Sequence, residues 1–227
     1  MSFARCAAAV AAAIALAIFS ACERLPGRPL PSARPEIPSQ VTNFDQLYGV
    51  NCAGCHGADG HFGGALPLNN PAYLALVDDA SMRDAIANGI TGTSMPAFAV
   101  SSGGMLTHDQ ITAIVNGIRS EWGAQARPTE GTPPYMSSSV GDVAQGEKLF
   151  GQYCASCHGV DGTAGTAGAI NDPSFLALYN DQSLRILIIA GRRDFGHPGW
   201  RDYPHKPPLD SAQVSDIVAW LAAQRGS

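Results

Sequence analysis

The feature that most constrains this 227-residue chain is that it repeats itself with an offset of 102 residues. Laid on 149–198, the stretch 47–96 needs no gap, and 22 of its 50 positions are identical. Cys52 falls on Cys154, Cys55 on Cys157, His56 on His158, Arg83 on Arg185 and Gly89 on Gly191. One insertion then realigns Ile114 and Val115 with Ile217 and Val218. A long gap-free match means two copies of one small domain rather than one larger fold. We expect the copies at 41–124 and 141–227. The stretch between them, 125–140, holds Pro128, Pro133, Pro134 and three consecutive serines, and reads as a linker.

Each copy reads as helical, so the expected fold class is all-α. Helices are predicted at 43–51, 81–88 and 107–122, and at 142–153, 183–190 and 210–225. Ile111, Ile114, Val115 and Ile118 recur at helical spacing, as do Val214, Ile217, Val218 and Leu221. Thr107 and Asp210 stand three residues before Gln110 and Gln213, the pattern of a capping box. No alternating strand pattern is convincing. Helices this short, separated by Gly- and Pro-rich stretches, make a domain of roughly 85 residues marginal by itself. Something large and apolar should fill each centre.

Cys52-Ala53-Gly54-Cys55-His56 and Cys154-Ala155-Ser156-Cys157-His158 point to what it is. C-x-x-C-H is the attachment motif of c-type haem. Two thiols one helical turn apart reach the two vinyl groups of the porphyrin, and the adjacent imidazole can bind the iron. A shared Cys₄ zinc site is the competing reading. It leaves both histidines unexplained. Disulfides within C-x-x-C would close very tight loops. Two covalently bound haem c groups account for four of the six cysteines.

Each repeat resembles a class I cytochrome c domain, and together the repeats cover nearly all of the chain after its amino terminus. The resemblance implies that Cys52, Cys55, Cys154 and Cys157 carry the haems, with His56 and His158 as axial ligands. In that family the sixth ligand comes from a loop before the last helix, usually Met followed by Pro. Met95-Pro96 fits in the first repeat; Met82 and Met105 are weaker candidates. The matching position in the second repeat is His197, followed by Pro198. The second haem is therefore expected to have two histidine ligands. His205, or an open sixth position, are the competing readings. Thioether ligation raises a haem potential, and axial ligands span about 0.8 V across haem proteins. Two unequal haems follow, the second the lower. Arg83 and Arg185 occupy matched positions and could each contact a haem propionate or be surface helix residues.

Residues 1–21 read as an export signal, with Arg5 at its start and an apolar run too short to span a bilayer. Phe19-Ser20-Ala21-Cys22 resembles a bacterial lipoprotein box, which marks Cys22 for lipidation. Residues 22–40, with five prolines, read as a tether. The expected location is the periplasmic side of a bacterial membrane. A formal net charge of −5 argues against nucleic-acid binding. The first repeat is acidic. In the second, Arg192, Arg193, Arg201 and Lys206 flank His197, either as a basic rim for an acidic partner or as a solvated loop. His61 and His108 have no counterparts in the other copy and read as surface residues.

The expected function is electron transfer by a membrane-tethered dihaem carrier, not an enzyme, whose partners are redox proteins: a quinol-oxidising complex, a terminal oxidase or another cytochrome. No small-molecule substrate is expected. The alternatives are a peroxidase-like dihaem enzyme with a displaceable ligand at the second haem, and a sensor of diatomic gases.

Overall fold

The computed structural model describes residues 35–127 and 129–226. The residues expected to form an export signal, Cys22 and most of the stretch expected to be a tether lie outside the described residues. No helix among the described residues is long and apolar enough to cross a membrane. The first repeat contains α1 (Phe44–Asn51), α2 (Ala53–His56), α3 (Pro71–Leu76), α4 (Asp79–Asn88) and α5 (His108–Trp122). The second contains α6 (Val143–Tyr153), α7 (Ala155–His158), α8 (Pro173–Leu176), α9 (Asp181–Ala190) and α10 (Ser211–Ala223). The described residues hold no strand, only an isolated bridge between Ala99 and Leu106. The all-α expectation holds.

The helices start where short polar side chains satisfy free backbone amides. Asn43, Asn70, Asp78, Thr107, Asp142, Asp172, Asn180 and Asp210 each accept from an amide in the first turn of the helix they precede. Both predicted capping boxes form. The short helices α3 and α8 were not anticipated. Both begin on Asn/Asp followed by Pro at the first helical position, a start signal that the hydrophobic pattern is too short to reinforce.

The first and last helices of each repeat cross closely because a glycine stands at the crossing. A Cβ on Gly117 of α5 would lie 2.1 Å from the Phe44 ring of α1. A Cβ on Gly146 of α6 would lie 2.0 Å from the Asp216 carbonyl of α10. Each repeat also pins its last helix with one arginine. Arg119 donates to Asp79 and to the carbonyls of Leu74 and Val77. Arg225 does the same with Asp181, Leu176 and Tyr179. The acceptors are equivalent in the two repeats. The arginines are not: with Ile114 on Ile217, Arg225 falls three residues beyond the counterpart of Arg119. One helical turn separates them, so both reach the same target.

The repeats pack on each other. Ile186 and Ala190 of α9 are buried in the core of the first repeat, beside Tyr73, Leu74 and Val77. Leu76 packs against both cores. Asn70, 3% exposed, caps α3 with its carbonyl oxygen and donates its amide to the carbonyls of Ala190 and Gly191, at 3.3 and 3.1 Å. The linker is laid against the protein. Pro133 is buried, Tyr135 packs on the first core, and Gln182 donates to the Tyr135 carbonyl at 2.7 Å.

Asn70→Ala removes a cap and leaves two buried carbonyls without their donor. We expect a loss of about 2–4 kcal/mol in denaturant unfolding of the haem-loaded protein. Asn70→Asp restores the cap, as Asp172 does in the second repeat. It does not restore the donor, so it should recover only part of the loss.

Candidate functional site

In both repeats a helix delivers the attachment motif. Cys52 and Cys154 end α1 and α6 and begin the next short helix. The amide of His56 donates to the Cys52 carbonyl at 2.9 Å, and that of His158 to Cys154 at 3.0 Å. The first thiol of each pair is covered and the second faces outward: Cys52 is buried and Cys154 half-buried, whereas Cys55 and Cys157 are exposed. Burial raises the Cys52 thiol to about 11 and the Cys154 thiol to about 12, and the neighbouring thiol adds to each shift.

The two motif histidines are buried, at 9% and 6% exposure, and each is oriented by one backbone carbonyl. His56 Nδ1 lies 2.7 Å from the Leu66 oxygen, and His158 Nδ1 lies 3.0 Å from the Gly168 oxygen. Both carbonyls stand ten residues after the histidine. A ring nitrogen that donates to a carbonyl leaves the other as a metal ligand of defined tautomer and orientation. Burial holds His56 below the usual imidazole range, against the raising effect of the Leu66 carbonyl. A low pKa keeps the ring in the neutral form that a metal requires. The sequence did not point to these carbonyls, because a backbone acceptor has no residue-type signature.

Met95 and His197 occupy equivalent places. The turn after α4 contains Gly89 at φ +70°, and a Cβ there would lie 2.7 Å from the Met95 carbonyl. The turn after α9 contains Gly191 at φ +71°, with the His197 carbonyl 2.8 Å from such a Cβ. Both glycines allow a left-handed turn and a close backbone approach. Met95 is half-buried and packs on the first core. The ring centres of His197 and His158 lie 5.9 Å apart, with their planes at 48°. A metal–imidazole bond is about 2.0 Å and the ring centre lies roughly 1 Å beyond the nitrogen, so two imidazoles on opposite sides of one ion would stand roughly 6 Å apart. The residues of the second repeat therefore fit one iron between them. Burial and the neighbouring His158 lower the pKa of His197, and its Nδ1 is buried without a hydrogen-bond partner.

Other candidates lie elsewhere. His205 is exposed, in a left-handed turn at φ 57°. Met82 is in the first core and Met105 is 83% exposed. Arg185 is not free for a propionate. It is 2% exposed, and its guanidinium donates to the Pro134 carbonyl, to Ser211 and to Ser215. It ties the linker to α10, an interaction possible only once the linker has folded back. Arg83 is half-buried and donates to the Asp79 carbonyl of its own helix at 3.3 Å. The basic rim expected around His197 is partly neutralised: Arg192 pairs with Asp194 and Arg193 with Asp202. His108 is exposed as expected. His61 is not simply on the surface: it is half-buried, with its Nδ1 covered and unpartnered.

Comparison with known proteins identifies the type of domain. The family model for cytochrome c matches residues 143–224. The model for cytochrome c oxidase, cbb3-type, subunit III matches residues 39–117. The chain is 30% identical over 191 residues to the cbb3-type cytochrome c oxidase subunit FixP of Sinorhizobium medicae, covering 79% of this chain and 59% of that protein. It is 29% identical to the corresponding subunit CcoP of an Azospirillum species, covering 77% of this chain and 58% of that protein. It is 26% identical to the cytochrome bc1 complex cytochrome c subunit of Mycobacterium tuberculosis, covering 78% and 60%. The chain thus spans less than two thirds of the length of these relatives. With an attachment pentapeptide and a carbonyl-oriented histidine in each repeat, the chain belongs to the cytochrome c family, as two tandem cytochrome c domains that each carry one covalently bound haem c.

Proposed function

We propose that this protein is a dihaem electron carrier with unequal haems. The first iron is held by His56 and Met95, the second by His158 and His197. The observation that carries the reading is the pair His158 and His197, with ring centres 5.9 Å apart and His197 at the position where the first repeat has Met95. With both sixth positions filled, neither iron has a site for substrate, and only outer-sphere transfer remains. A haem held by His158 and His197 would supply the lower-potential centre, and its electron would pass to a haem held by His56 and Met95. The direction follows from ligation, since thioether coordination favours ferrous iron more than a second imidazole does.

The relatives that belong to cbb3-type oxidases and bc1 complexes support a role beside such a complex, with a quinol-oxidising complex or a terminal oxidase as partner. The apolar run and the box at Cys22 support export and a diacyl anchor on the periplasmic side of a bacterial membrane. The acidic first repeat favours a basic docking face on its partner.

Carbon monoxide tests the ligation. Added to the fully reduced two-haem protein, it is expected to leave the absorption spectrum of both haems unchanged. Prompt binding at one haem would show that iron to be open or weakly capped. The peroxidase-like reading would then replace the carrier.

A further inference from the structure

Arg192 and Asp194 stand in the loop that leads to His197, and the first repeat has Ile90 and Gly92 at the matching positions. Arg192 Nε donates to Asp194 Oδ1 at 3.1 Å and its terminal nitrogen to Oδ2 at 2.9 Å. The pair is covered: the Asp194 side chain is 1% exposed and that of Arg192 14%. An ion pair withdrawn from water is stable only when its remaining hydrogen-bonding capacity is also met. Here the first repeat helps to meet it. Arg192 donates to the Gly63 carbonyl at 2.8 Å, and Asp194 Oδ2 accepts from the Phe62 amide at 3.0 Å. Phe62 is a non-glycine residue at φ 60°, a conformation that persists only when its surroundings hold it. Its ring meets the edge of Phe195 at 5.8 Å, and the Arg192 guanidinium lies 4.6 Å over the Phe195 ring.

Both ends of this clasp reach a haem site. A Cβ on Gly63 would lie 2.2 Å from the Cys55 carbonyl and 2.5 Å from His56, so Gly63 is seated on the first attachment motif. At the other end, the Arg192 carbonyl accepts the His197 amide at 2.9 Å.

We infer that Arg192 is a cation shared by the two redox sites: held by Asp194 and the Gly63 carbonyl, it raises the potential of both haems together and fixes the two sites relative to each other. The inference rests on the proposal that each site holds a haem iron. A fixed positive charge disfavours the ferric form, which carries one more positive charge than the ferrous, at both irons. Arg192 is thus a positioning and tuning residue, not a ligand.

The test is a spectroelectrochemical titration of the two-haem protein and its variants. Arg192→Gln is expected to lower both midpoints, changing each reduction equilibrium by about threefold to tenfold, where tenfold is 59 mV for one electron. Arg192→Lys keeps the charge and should restore most of both shifts, which a merely structural contact would not do. Asp194→Asn leaves the guanidinium uncompensated and should raise both midpoints. It should also speed hydrogen exchange at the Phe62 amide. A shift of one midpoint only, or of neither, in Arg192→Gln overturns the inference. If Arg192→Gln does not assemble with two haems, Asp194→Asn decides, and unmoved midpoints there overturn it equally. Carbon monoxide binding at the second haem would refute the His197 ligation instead, and leaves the common displacement of the midpoints to stand or fall separately.

Discussion

Replacing His197 with methionine is expected to raise the lower of the two midpoints by about 0.1 V or more, within the ~0.8 V that axial ligation spans. The structure makes this substitution informative because the methionine enters an existing frame. Gly191 supports the His197 carbonyl as Gly89 supports that of Met95, and Pro198 follows as Pro96 does. The new thioether would reach the iron from the same backbone position. The upper midpoint should hardly move, since its own ligands are untouched. A redox titration with resolved haem spectra checks both statements. If the lower midpoint stays in place, His197 is not a ligand. His205→Met, on an exposed turn, is expected to change neither midpoint.

Removing the second haem by Cys154→Ala with Cys157→Ala should damage more than the second repeat. The haem content, read from the haemochrome absorbance, is expected to fall from two per chain to one. The second core surrounds the motif with Phe150, Leu176, Ile189, Leu209 and Val214, all at or below 1% exposure. Without the porphyrin the second repeat loses the large apolar group that its attachment motif would hold beside this core. The first repeat suffers because α9 supplies Ile186 and Ala190 to its core and the carbonyls of Ala190 and Gly191 to Asn70. Losing one large apolar side chain from a core costs about 2–5 kcal/mol. In a domain of this size that lowers Tm by roughly 10 °C or more. Thermal unfolding followed at the remaining haem measures it. An unchanged transition would show that the repeats are energetically independent despite their contact.

The haem sites were legible in the sequence to an uneven degree. The four cysteines and two histidines stand in pentapeptides whose spacing is dictated by the porphyrin, so they are readable without a fold. Met95 was singled out by the family resemblance and the Pro96 that follows it, and His197 only through the repeat, which sets it at the same separation from the motif histidine. Leu66 and Gly168 were not readable, since their contribution is a carbonyl that any residue supplies. Arg185 was misleading. Its matched position with Arg83 suggested a common role, yet the Pro134 carbonyl that claims it belongs to the linker between the repeats, which has no counterpart at Arg83.

The helices were mostly predictable from local chemistry: caps, apolar spacing and the glycines that end them act within a few residues. The sequence by itself therefore determined two helical domains, two attachment motifs and the difference between Met95 and His197. Only the tertiary structure decided how the domains share a surface. The repeats match position for position through α3 and α8. The interface nevertheless uses Asn70 from one copy and Ile186, Ala190, Arg192 and Asp194 from the other. Arg119 and Arg225 likewise converge on equivalent acceptors from positions one turn apart. These contacts join residues far apart in the chain: Arg119 and Asp79 are 40 residues apart, Asn70 and Ala190 are 120 apart, and Phe62 and Asp194 are 132 apart. Their energy exists only when both surfaces are already folded, so no local pattern records them.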